Sequence, residues 1–591
     1  MSKLFRNICL VAGALSLGAC NKNFLNRLPQ SSLTEQNFFS DESDLETYTN
    51  GFYASNFGTA TPYPGWTVAI NDQQSDNMEI NPFNQVVAGK FTVPTAAGST
   101  EGLLTGWNWY FLEDVNYFLQ NYQKANASDA AKNHYAGVAR FFRAWFYEDM
   151  VKTFGDVPWY GNTLTPTDSA DLYKARDPRA LVVDSIIADL RFAAANIYPT
   201  GASGTITQPA ALALLAQTAL HEGTYMEYRG TQGWQALLQL ADSAAQAIMA
   251  SGTFKLYSTG SPTQDYYKLF NILTPTDPMN EEVILAQYYS ATLTDTHPLD
   301  AELNAGYGFS LTKDLMNTYL MTDGTPFTNQ AGYDTMEFAT EFRNRDPRMA
   351  QTAIGPNYIR QGKPYAPLLG PAPTGYEQIK YYVDDPSQTG YNTSYNAAII
   401  FRYGEILLID AEAKAELGTL TQADLDATVN LLRTRVGMPP LNISVALDPV
   451  LAAEYPNVTG ALKNVILEIR RERRVELACE GHRYDDLMRW RAGSLLANPF
   501  LGMYFPGLGE YDLNGDGQID YALVTSLPSN PVSGVSYKVV GTDVYLTNGN
   551  SGNVIPYPSL VKTFSDPKNY LFPIPTTELQ LNSKLVQNPG W

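Results

Sequence analysis

A short segment near the C-terminal end, residues 512–520, has the oxygen-rich spacing of a calcium-binding loop. Side-chain oxygens recur at alternate positions, and Gly517 stands where such loops turn sharply. Leu523 replaces the bidentate glutamate that closes such a loop, and no helix is apparent after it. We predict a weakly binding structural calcium site, with a plain hairpin rich in Asx turns as the alternative. The candidate ligands are Asp512, Asn514, Asp516, Gln518 and Asp520.

Two loop segments combine aromatic rings with amides and carboxylates, which is the chemistry that binds sugars. The C–H face of a pyranose packs on a flat ring, while its hydroxyl groups bond to amide and carboxylate side chains. The first group precedes a segment that holds Trp107, Trp109 and Tyr110, and the second includes His297. The predicted ligand-binding residues are Tyr63, Trp66, Asn71, Asp72, Asp76 and Asn77 in the first group, and Tyr288, Tyr289 and Tyr307 in the second.

Three glutamates in one helical segment, Glu405, Glu412 and Glu416, could be taken for the acids of a hydrolase. Hydrolysis of a glycosidic bond needs two carboxylates that face each other across a cleft, and nothing in the sequence places a second acid opposite them. We therefore expect a solvated helix face. The sequence contains no zinc-protease, serine-hydrolase or phosphate-binding motif, and its four histidines are far apart. No catalytic residue and no zinc site are predicted.

A dense run of arginines and glutamates occupies residues 468–483. At helical spacing, Glu468 faces Arg471 and Arg473 faces Glu476. Because arginine can fork onto carboxylates of other segments, we predict that the run forms a structural ionic lattice. The like charges that stand four residues apart, and so need partners elsewhere, are Arg470 with Arg474 and Glu472 with Glu476.

The overall composition excludes several classes of protein. The 591 residues carry 40 Lys+Arg against 60 Asp+Glu, a net charge of −20. A nucleic-acid partner is not expected, because binding to phosphates needs basic stripes, and charge-driven binding to anionic lipids is excluded in the same way. Hydrophobic residues make up 44%, which is enough for a large core. The 38 tyrosines suit wet binding surfaces.

The N-terminal residues have the form of an export signal. A basic start, an apolar stretch and small residues indicate a signal peptide over residues 1–19. The string LGAC at residues 17–20 looks like a bacterial lipoprotein signal, in which Cys20 is lipidated and becomes the first residue of the mature chain. Three hydrocarbon chains would anchor it durably. We predict a single domain over residues 20–591, with Cys479 in its core.

The elements that must position these residues are mainly helical. Apolar and aromatic residues recur at helical spacing in segments that follow one another as pairs joined by short turns. This cadence resembles helical-hairpin repeats of the tetratricopeptide type. Long polar loops separate the pairs, and short strands are predicted at residues 518–523 and 539–546. The predicted helices are residues 129–153, 178–197, 209–222, 233–251, 403–417, 422–436 and 459–478.

Five stretches, in order along the chain, resemble the SusD/RagB family of outer-membrane nutrient-binding lipoproteins. The first two read ARFFRAWFY, followed by FGDVP, and RYGEILLIDAEA. The most distinctive reads IRRERRVELA and leads into EGHRYDDL, and the last two read LFPIP and QNPGW. The resemblance extends from Cys20 to Trp591. The stretches are residues 139–147 with 154–158, 402–413, 469–478 with 480–487, 571–575 and 587–591.

The resemblance implies a mainly α-helical fold of tetratricopeptide-like hairpins with long irregular loops and a few short strands. It implies a lipid-anchored protein on the surface of the outer membrane that captures oligosaccharides and covers a SusC-like TonB-dependent transporter. It implies no catalysis and no required cofactor. A peptide-binding member of the same uptake system is one alternative, and a surface hydrolase or a purely structural lipoprotein are others. The sequence does not specify the glycan, because specificity depends on loop geometry.

Overall fold

A computed structural model gives the architecture of most of the chain. The predicted signal peptide and three predicted site residues, Cys20, Tyr63 and Tyr307, lie outside the part that it describes. Within that part, no helix combines the length and the apolar character needed to cross a membrane. The described residues are 38–53, 66–96, 106–305, 308–370 and 373–591.

The α-helices carry the fold, and the mainly α-helical architecture is confirmed. The predicted helices are present with bounds that agree within a few residues, except that residues 422–436 form two helices. The break falls at Thr428, whose backbone leaves helical geometry (φ −132°, ψ −93°). In chain order the α-helices are α1 (Glu42–Asn50), α2 (Tyr110–Asn121), α3 (Asp129–Phe154), α4 (Ser169–Leu172), α5 (Arg179–Asn196), α6 (Gln208–Glu227), α7 (Trp234–Ala250), α8 (Asp265–Leu269), α9 (Leu299–Ala305), α10 (Lys313–Thr318), α11 (Phe338–Glu341), α12 (Met349–Thr352), α13 (Tyr403–Glu416), α14 (Gln422–Ala427), α15 (Val429–Arg435), α16 (Pro449–Glu454), α17 (Lys463–Glu476), α18 (Arg483–Arg489) and α19 (Thr576–Leu581).

The β-strands of the described residues are short and pair locally. They are β1 (Met78–Glu79), β2 (Val283–Gln287), β3 (Ser310–Leu311), β4 (Ile359–Arg360), β5 (Lys363–Pro364), β6 (Ala398–Arg402), β7 (Tyr504–Phe505), β8 (Gly509–Tyr511), β9 (Tyr521–Val524), β10 (Ser536–Val539) and β11 (Gly552–Asn553). Strands β2 and β6 pair antiparallel, and β8, β9 and β10 form one sheet. The strand predicted at residues 518–523 corresponds to β9. The strand predicted at 539–546 is wrong, because β10 ends at Val539 and only isolated bridges follow.

The longer helices pack as successive hairpins. Helix α3 contacts α5, which contacts α6, and α6 packs along α7 after a short connection. Helix α7 then contacts α13, and α13 contacts α17. Helix α3 begins at Ser128, whose side chain accepts a hydrogen bond from the Ala131 N–H, and ends at Gly155 with φ +75°. Phe141, Phe142 and Tyr147 of α3 are fully buried, so this helix is the spine of the largest core cluster.

Helix α17 is buried along its length although it is rich in charge. Glu476 accepts hydrogen bonds from Arg348 (3.0 Å), Arg402 (2.8 Å) and Arg435 (2.5 Å). Glu472 accepts further hydrogen bonds from Arg348 (2.5 Å) and Arg433 (2.9 Å). The predicted structural lattice is thus confirmed, and its partners come from segments that are distant in the sequence.

Two details of the predicted lattice need correction. Arg473 does not pair with Glu476 but with Asp486 (3.1 Å) and Glu412 (3.3 Å). The expected solvated face of α13 is in fact buried: Glu412 binds Arg489, and Glu416 accepts from the Tyr228 hydroxyl at 2.7 Å. The reason is that α13 lies between α7 and α17, so its carboxylates meet the arginines of the interior rather than water. The acids predicted to be solvated, Glu405, Glu412 and Glu416, all have side chains only 1–3% exposed.

The chain turns sharply after α17. Cys479 is fully buried with φ +62°, which confirms its predicted place in the core. Gly481 follows with φ +82°, and a β-carbon there would lie 2.9 Å from the β-carbon of Asn71. A side chain at this position is therefore unfavourable for two reasons: the backbone is in the left-handed region, and a β-carbon would clash with Asn71. The turn packs directly against the segment that contains the first group of predicted binding residues.

Candidate functional site

The predicted binding residue Asp72 lies inside the protein. Its carboxylate accepts hydrogen bonds from the backbone N–H of Cys479 (2.7 Å), from the backbone N–H of Gly481 (3.2 Å) and from the Asn77 amide (2.9 Å). The residue is 1% exposed, and this burial raises the pKa of its carboxyl. Asp72 thus ties the segment around it to the turn after α17.

Asp76 and Asn77 are tied down in the same way. Both carboxylate oxygens of Asp76 accept from the guanidinium of Arg483, each at 2.7 Å. Burial acts to raise the pKa of Asp76, but the charges of Arg474 and Arg483 outweigh it and hold the pKa well below its usual range. The side-chain amide oxygen of Asn77 accepts from Arg474 at 2.8 Å. These contacts give Asp72, Asp76 and Asn77 a structural function and do not support the ligand contact predicted for them.

Asn71 is the one residue of this polar group that the structure leaves partly exposed. It lines a small cavity of about 90 Å³ together with Asp149, Lys152 and Asp485. The Lys152 ammonium bridges Asp485 (2.8 Å) and Glu148 (2.5 Å), whereas one buried carboxylate oxygen of Asp149 has no hydrogen-bond partner. Trp66 does not line this cavity, so the structure does not bring Asn71 and Trp66 together there.

Trp66 and Tyr289 come together, although they belong to the two separate predicted groups. The backbone N–H of Trp66 donates to the Tyr289 hydroxyl at 2.9 Å. The rings of Trp66 and His297 are parallel, with centroids 6.1 Å apart, and Tyr289 meets His297 edge to face at 4.5 Å. His297 is fixed by contact of its Nε2 with the Asn396 carbonyl oxygen (3.0 Å), and burial lowers its pKa to about 4. We call this cluster of Trp66, Tyr289 and His297 the Trp66 face.

The antiparallel pair of β2 and β6 positions this face. Tyr288 follows the end of β2, and its hydroxyl donates to the Asn280 side-chain oxygen at 2.5 Å. Trp66 and Tyr288 are partly exposed, and the Trp66 ring lies against the buried side chain of His297. Beside them, Asp300 accepts from the Val383 N–H at 3.2 Å, and burial raises its pKa to about 7. Flat rings backed by neutral groups can pack against the C–H face of a sugar.

Helix α2 begins beside a second, larger cleft, which the sequence did not predict. Its volume is about 520 Å³, and Trp109, Tyr110, Tyr160 and Tyr173 lie along it. The sequence places Trp109 and Tyr110 after the first predicted group, but Tyr160, Tyr173 and the part of the wall near α19 come from segments that are remote in the chain. No local pattern links these segments, because the cleft exists only where they pack together.

The predicted calcium loop is a turn between β8 and β9, which pair antiparallel. Asp512 accepts from the backbone N–H groups of Gly515 (2.7 Å) and Gly517 (2.8 Å). Asp520 accepts from Leu513 (2.7 Å) and Asn514 (3.0 Å). These Asx-type bonds shape a hairpin, and no group of three or more acidic, histidine or cysteine residues in the described chain is arranged to hold a metal. Calcium binding by residues 512–520 stays a prediction.

The fold is a scaffold of helical hairpins that presents an aromatic face and a cleft. The chain belongs to the SusD family, because the model of that family matches residues 277–591. Two SusD-like proteins of Formosa agariphila are 25% and 24% identical to it over 532 and 514 residues. These matches cover 83% and 85% of this chain, and 92% and 95% of the relatives.

Solved structures share this fold. A SusD-like protein from Bacteroides fragilis aligns with a TM-score of 0.68 at 21% identity and covers 96% of this chain and all of its own. A SusD-like carbohydrate binding protein from the same species aligns with a TM-score of 0.67 at 21% identity and covers 93% of this chain and all of its own. At this identity the likeness shows the fold alone.

Proposed function

We propose that this chain is a cell-surface glycan-binding lipoprotein that passes its ligand to a TonB-dependent outer-membrane transporter. The observation that carries the binding proposal is that the partly exposed Trp66 meets Tyr289 and His297, which lie more than 200 residues away in the sequence. Membership of the SusD family and the fold of a relative described as carbohydrate binding support the ligand class. The string LGAC at residues 17–20 supports anchoring through Cys20.

The proposal includes no catalysis. The acids considered for hydrolysis, Glu405, Glu412 and Glu416, lie in the interior, and Glu412 and Glu416 are bound by Arg489, Tyr228 and other groups. A purified protein of residues 21–591 is expected to bind a soluble polysaccharide and to release no reducing ends from it. Release of reducing ends at a rate above that of a buffer control would favour the hydrolase alternative.

Native affinity electrophoresis against a panel of soluble polysaccharides tests the ligand class. We expect retardation by at least one glycan and a loss of about tenfold or more in affinity for Trp66→Ala, because the ring offers the largest flat surface of the face. Trp234→Ala removes a partly exposed tryptophan from α7 and is the matched control. Thermal unfolding of both variants separates loss of binding from loss of folding. Tyr288→Ala tests the neighbouring partly exposed tyrosine of the second predicted group.

A casein-derived peptide pool, titrated in parallel by calorimetry, tests the peptide-binding alternative. Binding of peptides, with no binding of any glycan, would favour the peptide-binding alternative.

Delivery to a transporter is tested separately with the full chain carrying a C-terminal tag in its native outer membrane. The expected result is that a large β-barrel transporter co-purifies with the wild type after mild detergent extraction. Cys20→Ala should move the protein from the membrane fraction to the soluble fraction.

A further inference from the structure

The cleft beside α2 is separate from the Trp66 face, since none of the residues that line it belongs to that face. Its walls come from the start of α2, from the loop around residues 158–164, from the segment around α4 and from α19. The volume of about 520 Å³ falls within the range of about 300–1,000 Å³ that is typical of small-ligand sites. Four segments from both ends of the chain therefore build a concavity large enough for a ligand.

The aromatic rings of this cleft are held in place from behind. Trp109 makes edge contacts with Trp107 (5.5 Å), Phe146 (5.8 Å) and Tyr160 (5.4 Å). In front of it, Tyr110 is 70% exposed and Tyr173 is 48% exposed. Leu172 and Leu581 line the same cleft and are exposed as well, so the apolar groups form a contiguous patch of the kind that marks an interaction site. Tyrosine and tryptophan offer broad contact surfaces at a low entropic cost, because they have few rotatable bonds.

The charge of the cleft selects against acidic ligands. Among the described residues, no lysine, arginine or histidine lines it, and its charged residues are Glu113 and Glu578. The nearby Lys174 is used elsewhere, because its ammonium donates to the Trp159 carbonyl oxygen (2.9 Å) and pairs with Asp177 (2.5 Å). A sulfated or uronic-acid chain would meet only like charge here. Hydroxyl groups would instead find carboxylate acceptors and, in Asn162, an exposed amide.

We propose that this cleft is a second glycan subsite, specific for uncharged oligosaccharide, in addition to the Trp66 face. The inference rests on the proposed function, because it assigns a further subsite to the same class of ligand. Two subsites on one scaffold would hold a long chain at two points, so that the second contact forms at high effective concentration. Uncharged sugar fits better than an acidic chain because exposed rings, an amide and acceptor oxygens occur together without a cation.

The test uses residues 21–591 and the double variant Tyr110→Ala/Tyr173→Ala. Tyr391→Ala, which removes an equally exposed tyrosine (67%) that does not line the cleft, is the matched control. The probes are xyloglucan, galactomannan and laminarin as neutral chains, and polygalacturonan and alginate as acidic ones. For the neutral chain that binds, the double variant is expected to lose at least about fivefold in affinity, and the control to lose nothing measurable. The acidic chains should not bind through the cleft.

Hydroxyl-radical footprinting of the wild type provides a readout that needs no variant. Saturation with the neutral chain should protect Tyr110 and Tyr173 from oxidation and leave Tyr391 unprotected. Unchanged affinity in the double variant, together with loss in Trp66→Ala, would overturn the second subsite and leave the proposed function intact. Loss of transporter co-purification in the double variant, with glycan affinity unchanged and no protection, would also overturn it in favour of a protein-docking surface. Failure of the wild type to bind any glycan would overturn both proposals.

Discussion

Glu476 is the residue on which the buried lattice depends most directly. Its carboxylate is fully buried and meets three guanidinium groups, those of Arg348, Arg402 and Arg435. Glu476→Gln keeps the shape of the side chain but removes its charge, and the new amide N–H₂ faces donors instead of acceptors. Each arginine keeps another acidic partner, so the loss is limited to one centre of the network.

The expected loss of stability is about 3–5 kcal/mol, the range for breaking a buried ion pair by removing one partner. The unfolding entropy of a chain of this size corresponds to roughly 1 kcal/mol per degree, so the midpoint of thermal unfolding should fall by about 3–5 °C. Differential scanning calorimetry at pH 7 measures this. Glu510→Gln makes the same chemical change at an exposed position of β8 and should cost less than about 0.5 kcal/mol.

The pH dependence gives an independent check. Burial acts to raise the pKa of Glu476, but the three arginines outweigh it and hold the pKa far below the ordinary value. A carboxyl with a lowered native pKa contributes stability above its unfolded pKa of about 4.3, and loses it as the pH falls towards the native pKa. The difference between wild type and Glu476→Gln should stay constant from pH 7 to about pH 5 and narrow in more acidic buffer. Equal stability of Glu476→Gln and Glu510→Gln at pH 7, or a difference that widens in acid, would refute the reasoning.

Two further predictions concern other carboxylates. The pKa of Asp300 is raised by burial to about 7, whereas an aspartate of the unfolded chain ionises near pH 4. The contribution of Asp300 to stability should therefore fall as the pH rises from about 4 to 7. Asp300→Asn should match the wild type at pH 4 and exceed it at pH 8 by at most about 4 kcal/mol in chemical denaturation, and an equal gain at both pH values would contradict this. If residues 512–520 bind calcium, calorimetry should show a single site with a Kd on the order of 10⁻⁴–10⁻³ M that Asp512→Ala abolishes and Mg²⁺ does not occupy. Identical heats for the wild type and the variant would mean that the loop is a hairpin that does not bind calcium.

The helices could be predicted from the sequence because the pattern that marks a helix is local. Residues 129–153 repeat apolar and aromatic side chains at the period of a helix, and the structure places α3 at Asp129–Phe154. The charged run of α17 also indicated that its residues need partners from other segments, because like charges four residues apart repel each other. What the run could not specify was its partners, which come from Arg348, Arg402 and Arg435 far along the chain.

The candidate sites depended on contacts that no local pattern encodes. Asp72 and Asp76 lie in a segment with the composition of a sugar-binding loop. In the structure, however, Asp72 accepts a hydrogen bond from Cys479 and Asp76 accepts one from Arg483, each 407 positions further along the chain. Burial decides between a ligand contact and a structural bond, and burial is a property of the packed chain. The same holds for the cleft beside α2, where Trp109 and Tyr173 share one cavity with Leu581 of α19 only because the chain packs its C-terminal end against its N-terminal third. The sequence by itself thus determined the family, the helices and the need for an ionic lattice. Tertiary packing alone decided which polar and aromatic groups remain open to a ligand, because solvent exposure depends on the atoms that surround a side chain in space.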